Sequence, residues 1–562
     1  MKNWIARLVI LLAATVAVLP LLIHGYSCGH DFIFHIPNWM EIRNQWRSGV
    51  LLPRWSFRAA WNAGEPRYLF YPPLSWMLGA LLGTVLPWTA VPIAFIWTAL
   101  ALNGLCFFAF ARRCVTPFIA TAAACVYLAN PYMLFTAYER AAYAELLAAA
   151  WMPLLLHEAF RDRIIAWRLA IPIALLWITN APAAVIGCYS LTVIGLVRLA
   201  RLFLKRDKQH AISVALHGVG GTILGLALAS FYLLPAIIER KLIETNMAII
   251  VNMRPWDNFL FTPSANPARY AVVHAVSLAS TFVLIAAILF GALAVYKSRR
   301  VLSIVLAGFT LLIAFLVTPA SALIWKHTPQ LAYLQFPWRV ISIEGAVAAM
   351  LFALAFGSWR DSKTSHIATA VATLALLLFC IPYASTHYRQ FCGAREQIAT
   401  FINNIATQQG DWPADEYTPE PADNDALAVD NPPFWLADTP GATAVHNANT
   451  GIITVATQNR YRTLYMVPAS HAPFLILRHR WFRGWHLRVN GIEVSPADSR
   501  DDGLTAVALP RSTTAEVELY YRWTIDQWAG LALSLLALLA VIYLSKRTKS
   551  HIGSHHHLTK SA

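Results

Sequence analysis

About a dozen apolar segments run along the chain, separated by short polar gaps. Each comes close to the roughly 20 residues a helix needs to cross a hydrocarbon core of about 30 Å. The pattern predicts spans at about 5–26, 91–111, 115–134, 144–160, 165–179, 182–200, 211–238, 271–296, 301–324, 338–357, 366–385 and 526–545. Residues 68–86 are also apolar, but a crossing there would invert the charge of every later gap. They are assigned to an interfacial or re-entrant helix starting at Tyr71-Pro72-Pro73, since proline is tolerated in a first turn. The segments 165–179 and 182–200 are short and parted by Asn180-Ala181-Pro182. They either cross fully or form a broken pair that dips part-way.

Past residue 385 the period changes. Between Glu396 and Arg460 there are eight carboxylates and no Lys or Arg, which reads as loop. From residue 451 on, apolar and polar positions alternate: Thr463–Val467, Phe474–Leu477, His486–Val489 and Val517–Tyr520, with turn signals at Asn490-Gly491 and Asp502-Gly503. Short alternating runs between such turns predict a small β-sandwich. The expected architecture is a polytopic α-helical membrane protein of about 12 transmembrane helices with a C-terminal extracytoplasmic β-rich domain. Residues 1–385 form the transmembrane domain, with 27–90 as a first external loop of interfacial helices. Residues 386–525 form the β-domain, and 526–562 the final helix and a cytoplasmic tail.

A hydrophobic fraction of 57% excludes a soluble protein of this length. Lys and Arg collect in alternate gaps: Arg112-Arg113, Arg161 to Arg168, Arg201 to Lys208, Lys297 to Arg300, Arg360 to Lys363 and Lys546 to Lys549. The positive-inside rule puts these gaps and both termini in the cytoplasm. It also accounts for the net charge of +15 without nucleic acid, for which no basic groove with interleaved aromatics is present. Lys2 and Arg7 precede an apolar run without a small-x-small cleavage site, so the first helix is expected to be retained. Of seven cysteines, only Cys28 and Cys392 fall opposite the basic gaps, where a bridge is open to them in an oxidising compartment.

The first external loop is richest in chemistry. It reads Gly29-His30-Asp31-Phe32-Ile33-Phe34-His35, followed by Trp39, Glu41, Arg43, Trp46 and Arg47. Asp31 and His35 are four residues apart and share a helix face. Phe32, Ile36, Trp39, Ile42 and Trp46 predict an amphipathic interfacial helix. A water-facing carboxylate and imidazole suit general-base work, or, with His30, the holding of a divalent cation. They equally suit a helix cap at Asp31 and an interfacial anchor at His35. The outer-edge cations are Arg140, Arg240, Lys241, Arg254 and Arg339; each fits a phosphate clamp as well as a local ion pair. Glu145 and Glu344 are the deepest outer-half acids, and Glu145 is kept as a second acid or partner of Arg140.

Several pieces carry a resemblance. They are Asp31 with His35, Tyr71-Pro72-Pro73-Leu74, Tyr138-Glu139-Arg140-Ala141-Ala142-Tyr143-Ala144-Glu145, Phe231–Ala236, Phe336-Pro337-Trp338-Arg339, and Trp481–Trp485 with Asn490-Gly491. In this order the chain resembles the bacterial YfhO-like and 6-pyruvoyl-tetrahydropterin synthase-related membrane protein families, and through them the GT-C class of glycosyltransferases. Nothing in the sequence points to pterin chemistry. The resemblance implies transfer of a sugar from a polyprenyl-phosphate carrier, in a bacterial cytoplasmic membrane, to a glycan, lipid or protein acceptor of the cell envelope, on the extracytoplasmic face and with inversion. Asp31 matches the external-loop carboxylate that serves as base or cation ligand, with His35 as its partner. Many members of that class carry two adjacent acids where this chain has His30-Asp31. The expected substrate-binding set is Tyr71, Arg140, Glu145, Arg240 and Arg339, with His30, Asp31 and His35 as the metal candidates. A transporter or flippase for lipid-linked saccharide, or a non-catalytic envelope assembly protein, are the alternatives.

Overall fold

The computed structural model describes residues 1–298, 300–357, 363–388, 392–444, 453–498 and 500–558. Among the described residues seven helices are long and apolar enough to cross a bilayer. They are Val91–Ala111, Ala181–Leu204, Lys208–Leu228, Pro267–Ser298, Pro337–Gly357, His366–Tyr383 and Ile525–Arg547. Two bent pairs raise the number to nine: Pro117–Leu128 with Pro131–Tyr138, bent by 41°, and Val301–Leu316 with Pro319–His327, bent by 89°.

Several expected spans are less regular than their hydropathy. The segment expected at 301–324 turns sharply at Pro319, because proline cannot donate to the preceding turn. The segment at 144–160 is two short helices, Tyr143–Ala148 and Trp151–Ala159. The first span is Asn3–Ala17 followed by Leu19–His24, with Pro20 in the first turn of the second piece. The pair at 165–200 is unequal. Ala166–Thr179 has 14 residues, whereas Ala181–Leu204 has 24 and is long enough to cross. The break falls at Asn180, whose side-chain oxygen accepts from the Ala183 backbone N–H at 2.9 Å and so caps the second helix. Pro73–Val85, with 13 residues, reaches only about 20 Å, shorter than the hydrocarbon core.

The helical body is built around Ile341–Gly357, which is buried on every face from Ile341 to Ala355. A helix that is apolar all round belongs in such an interior. Small residues set the closest approaches. A Cβ on Gly221 or Gly225 would lie 2.9 Å from the carbonyl oxygens of Ala166 and Ala170, so Lys208–Leu228 lies directly against Ala166–Thr179.

Among the described residues the C-terminal module has eight strands: β1 (Phe434–Ala437), β2 (Thr454–Asn459), β3 (Arg462–Val467), β4 (Phe474–Arg480), β5 (Trp485–Val489), β6 (Ile492–Val494), β7 (Leu504–Ala508) and β8 (Ala515–Tyr521). They form two antiparallel sheets, β1-β4-β7 and β2-β3-β8-β5-β6. Leu475, Leu477 and Val507 of one meet Leu487, Val517 and Leu519 of the other in a common core. Asn490 and Gly491 both have positive φ, 50° and 80°, the geometry of a two-residue hairpin turn between β5 and β6. The stretch 396–460, read as loop, contains the helix Ile398–Ala406, β1 and β2. All three are short; β2 pairs with the adjacent β3, but the partners of the other two are distant in sequence: β1 pairs with β4, and Phe401 meets Phe32 with ring centroids 6.2 Å apart. Residues 445–452, where the alternation was expected to begin, lie outside the described residues, as do residues 299 and 360 of two basic gaps.

Loop 27–90 and the β-module lie together on one face of the helical body. Trp55 enters the module's core beside Trp485, and the Tyr461 hydroxyl accepts from the backbone N–H of Arg54 and Trp55 at 3.0 and 3.2 Å. Arg58 pairs with Asp411 at 2.9 Å, and Cys28 is disulfide-bonded to Cys392. The helix Phe32–Arg47 is consequently not a surface helix with one wet face. Its polar residues Asn38, Glu41 and Gln45 are buried, and Glu41 accepts from the Ser56 hydroxyl, the Phe57 backbone and the Tyr68 hydroxyl at 2.8, 2.6 and 3.1 Å. The returning loop, Trp55 to Tyr68, with the module's Tyr461 bonded to Gln45, covers the side that the sequence pattern leaves open.

Candidate functional site

Asp31 occupies the N-cap position of Phe32–Arg47, yet its side chain makes no capping bond. The carboxylate is 45% exposed and is left for the solvent side. Its backbone is pinned from across the fold: His30 N donates to Glu139 O at 3.1 Å and Asp31 N to Arg140 O at 2.8 Å. Only glycine permits this approach at position 29, where a Cβ would fall 2.6 Å from Ala141 N.

The facing segment is the tight link between Pro131–Tyr138 and Tyr143–Ala148, turned by Ala141 at φ 49°. It brings Arg140 against Glu145, with Nη1 to Oε2 at 2.7 Å, while Arg140 Nη2 lies 4.0 Å from Asp31 Oδ2. Glu145 also accepts from the Tyr132 hydroxyl at 2.6 Å and has Arg339 Nε at 3.5 Å. Asp31, Arg140, Glu145 and Arg339 therefore form one alternating chain of charges. Burial works against the Arg140 charge, but Glu145 and Asp31 outweigh it and raise its pKa. Arg339 stands on the 3-10 turn Pro337–Val340 and donates from Nη1 to Leu334 O at 2.8 Å. Its guanidinium lies 5.0 Å over the Phe336 ring.

Asp31, His35, Tyr71, Arg240 and Arg339 line a cleft of about 620 Å³ between the helical body and the β-module. Arg140 and Glu145 stand directly behind Asp31 and Arg339. One wall is apolar, with Trp177, Pro182, Leu233, Ala236 and Ile237. The module contributes Ala414, Glu416 and Tyr417. His35 is buried beneath the carboxylate, and its Nδ1 accepts from Trp76 Nε1 at 3.2 Å. Burial lowers its pKa to about 4, against the opposing pull of Asp31, so the imidazole is neutral near pH 7. Tyr71 stacks on Trp76 with centroids 4.2 Å apart; burial, then Asp31, push its pKa up. Burial also raises that of Glu416.

Not every candidate enters the cleft. His30 turns to Glu139 at 3.6 Å. Lys241 and Arg254 are not among the lining residues, and Arg254 Nε donates to Ile249 O at 3.2 Å. Glu344 accepts from Thr310 at 2.7 Å within the helical body. Among the described residues no three His, Cys, Asp or Glu side chains converge as a metal ion would require. His30, Asp31 and His35 thus do not make a three-donor cation site. The lining residues Glu416, Tyr417 and Gln335 are not singled out by the sequence, and Tyr232 enters there only within the Phe231–Ala236 resemblance. The first two lie in the acidic stretch without periodicity, and nothing local marks them. The break expected at Asn180-Pro182 is where the second helix begins at the cleft wall.

The family described as 6-pyruvoyl-tetrahydropterin synthase related domain, membrane protein, matches residues 68–388. No curated protein matches by sequence. Among solved structures the chain is similar to the arabinofuranosyltransferase AftD from Mycobacteria, at 16% identity and a TM-score of 0.43, covering 73% of this chain and 28% of that one. It is similar to the archaeal oligosaccharyltransferase AglB from Archaeoglobus fulgidus, solved with an inhibitory peptide and a dolichol-phosphate, at 14% identity and a TM-score of 0.40, covering 75% and 61%. It is also similar to ArnT from Cupriavidus metallidurans bound to undecaprenyl phosphate, at 12% identity and a TM-score of 0.28, covering 64% and 78%. The chain spans less than a third of AftD and under two thirds of AglB.

Proposed function

We propose that this chain, which belongs to the 6-pyruvoyl-tetrahydropterin synthase-related family of membrane proteins, is a GT-C-like glycosyltransferase. It moves a sugar from a polyprenyl-phosphate donor to a cell-envelope acceptor on the extracytoplasmic face of a bacterial cytoplasmic membrane. The observation that carries the reading is the solvent-facing Asp31 carboxylate, which makes no capping bond and has Arg140 Nη2 4.0 Å away. It shares one cleft with Arg240 and Arg339, opposite an apolar wall. A lipid-linked phosphate needs that combination: guanidinium groups for the phosphate and an apolar surface for the chain. The basic gaps support the sidedness. Nine spans, together with 3–24, 143–159 and 166–179 as broken or short crossings, support twelve in all with both termini inside.

In this reading Asp31 Oδ takes the proton of the acceptor hydroxyl as its oxygen attacks the anomeric carbon. The bond from that carbon to the phosphate oxygen breaks, and the phosphate leaves with the electron pair, its charge met by Arg339 and Arg240. Attack opposite the leaving group inverts the anomeric centre. Neutral His35 positions Asp31 from beneath, and Arg140 and Glu145 hold the carboxylate and Arg339 in register. The module's Ala414–Tyr417 edge covers the site or meets the acceptor. Each step is carried by this chain's own residues, and none is routed through a divalent cation.

The test is sugar transfer in membranes by Asp31→Asn at matched expression. The expected loss is roughly 10²–10⁴-fold. Transfer at the wild-type rate overturns the base assignment. Wild type that moves lipid-linked saccharide across the bilayer without transferring it makes the protein a flippase, and wild type that does neither makes it an assembly protein.

A further inference from the structure

A second polar pocket lies on the outward face of the five-stranded sheet and shares no lining residue with the cleft. Strand register builds it. Arg462 stands opposite Tyr520, and Glu518 opposite Arg488. Alternation puts these four on one face, while Leu487, Val517 and Leu519 point into the core. Arg522, just past β8, completes a recess of about 350 Å³. Among the residues lining it, three guanidinium groups meet one carboxylate, Glu518, which Arg462 and Arg488 share; Glu493, opposite Arg488 at the rim, is paired with His486. Arg522 has no carboxylate within ion-pair distance among the described residues; its guanidinium and that of Arg488 lie 4.9 and 4.7 Å from the Tyr520 ring. Tyr520 is only 7% exposed, and its hydroxyl has no hydrogen-bond partner among the described residues.

A buried phenol without a partner is costly, and surplus guanidinium groups around it call for an anionic acceptor. Position narrows the choice. Arg522 precedes by three residues the apolar helix Ile525–Arg547. Trp523 and Trp528 pair at 4.9 Å, and Ile525 and Trp528 are exposed, as at the level of lipid headgroups. We propose that this pocket binds the phosphate of an anionic phospholipid headgroup through Arg522, Arg488 and the Tyr520 hydroxyl, and so seats the β-module on the membrane surface. It goes beyond the glycosyltransferase reading and does not depend on it.

The test is native mass spectrometry of the delipidated full-length protein titrated with phosphatidylglycerol, phosphatidylcholine or inorganic phosphate. Wild type is expected to bind phosphatidylglycerol in preference to phosphatidylcholine. Arg522→Gln and Tyr520→Phe are each expected to weaken the tightest phosphatidylglycerol site about tenfold, the scale of one charge-assisted hydrogen bond. Arg511→Gln, an exposed arginine elsewhere in the module, is expected to leave it unchanged. Tyr520→Phe keeps every charge, so its effect separates a built site from net positive charge. Equal binding by wild type and both variants overturns the proposal, as does equal affinity for phosphatidylcholine. Displacement of the lipid by an equal concentration of inorganic phosphate overturns the lipid headgroup as the source.

Discussion

The Arg140–Glu145 pair offers the sharpest test of how the site is held. The two groups are 2.7 Å apart, with side chains 9% and 6% exposed. At an effective dielectric near 20 their attraction is about 6 kcal/mol, and that of Arg339 for Glu145 at 3.5 Å about 5 kcal/mol. Desolvation offsets most of this. Removing one partner of a buried pair nevertheless costs about 3–5 kcal/mol, because the other charge is left behind. Arg140→Met is expected at the lower end, since Glu145 keeps Arg339 and the Tyr132 hydroxyl. Glu145→Gln is expected at the upper end, since it strips the shared carboxylate from two arginines. The double variant removes the pair, and its loss should fall short of the sum by about 3 kcal/mol, at the high end for neighbours in one network. Unfolding in mixed micelles of rising SDS fraction can be followed by thiol labelling, because Cys125 and Cys380 are buried free cysteines. Losses that add within about 0.5 kcal/mol, or single variants that cost less than about 1 kcal/mol, would refute a buried, mutually compensated charge chain.

Two further outcomes follow from the geometry. Gly29→Ala puts a Cβ 2.6 Å from Ala141 N, against backbone that cannot yield, and so displaces Asp31 from Arg140; a shift of about 1 Å is worth roughly 10²-fold in transfer rate, and an unchanged rate at equal expression contradicts the pinning. His479, stacked on Trp55 with centroids 5.3 Å apart, has its pKa lowered by burial from 6.5 to about 3. The unfolded chain therefore takes up the proton first as pH falls. The stability of the module–loop junction is full above pH 6.5 and declines by about 3 kcal/mol by pH 4. His479→Gln should flatten that decline in urea titrations across the same window, and a variant as acid-sensitive as wild type would exclude this histidine as the cause.

Much of the molecule is local, and the sequence carried it. The long apolar runs became helices because a backbone removed from water must satisfy itself within one segment. The alternation at 463–520 became strands because one face of each sheet meets a core. Asp31, His35, Tyr71, Arg240 and Arg339 could be singled out because ionisable and aromatic groups at a membrane edge stand out against apolar flanks. The rest was not local. Hydropathy cannot tell a straight span from one that turns at Pro319, since both have the same composition. Nor could the pattern over 32–47 reveal that Asn38, Glu41 and Gln45 would be buried, because the groups that meet them, Trp55 to Tyr68 of the folded-back loop and Tyr461 of the β-module, lie outside that stretch. The site itself depends on two backbone bonds between residues 30–31 and 139–140, and on a glycine at position 29 that lets those segments touch. Composition and spacing decided which side chains reach the membrane edge and set Arg140 beside Glu145; only tertiary packing decided that Asp31 and Arg339 join them, because those contacts are made by chain segments whose local sequences carry no trace of one another.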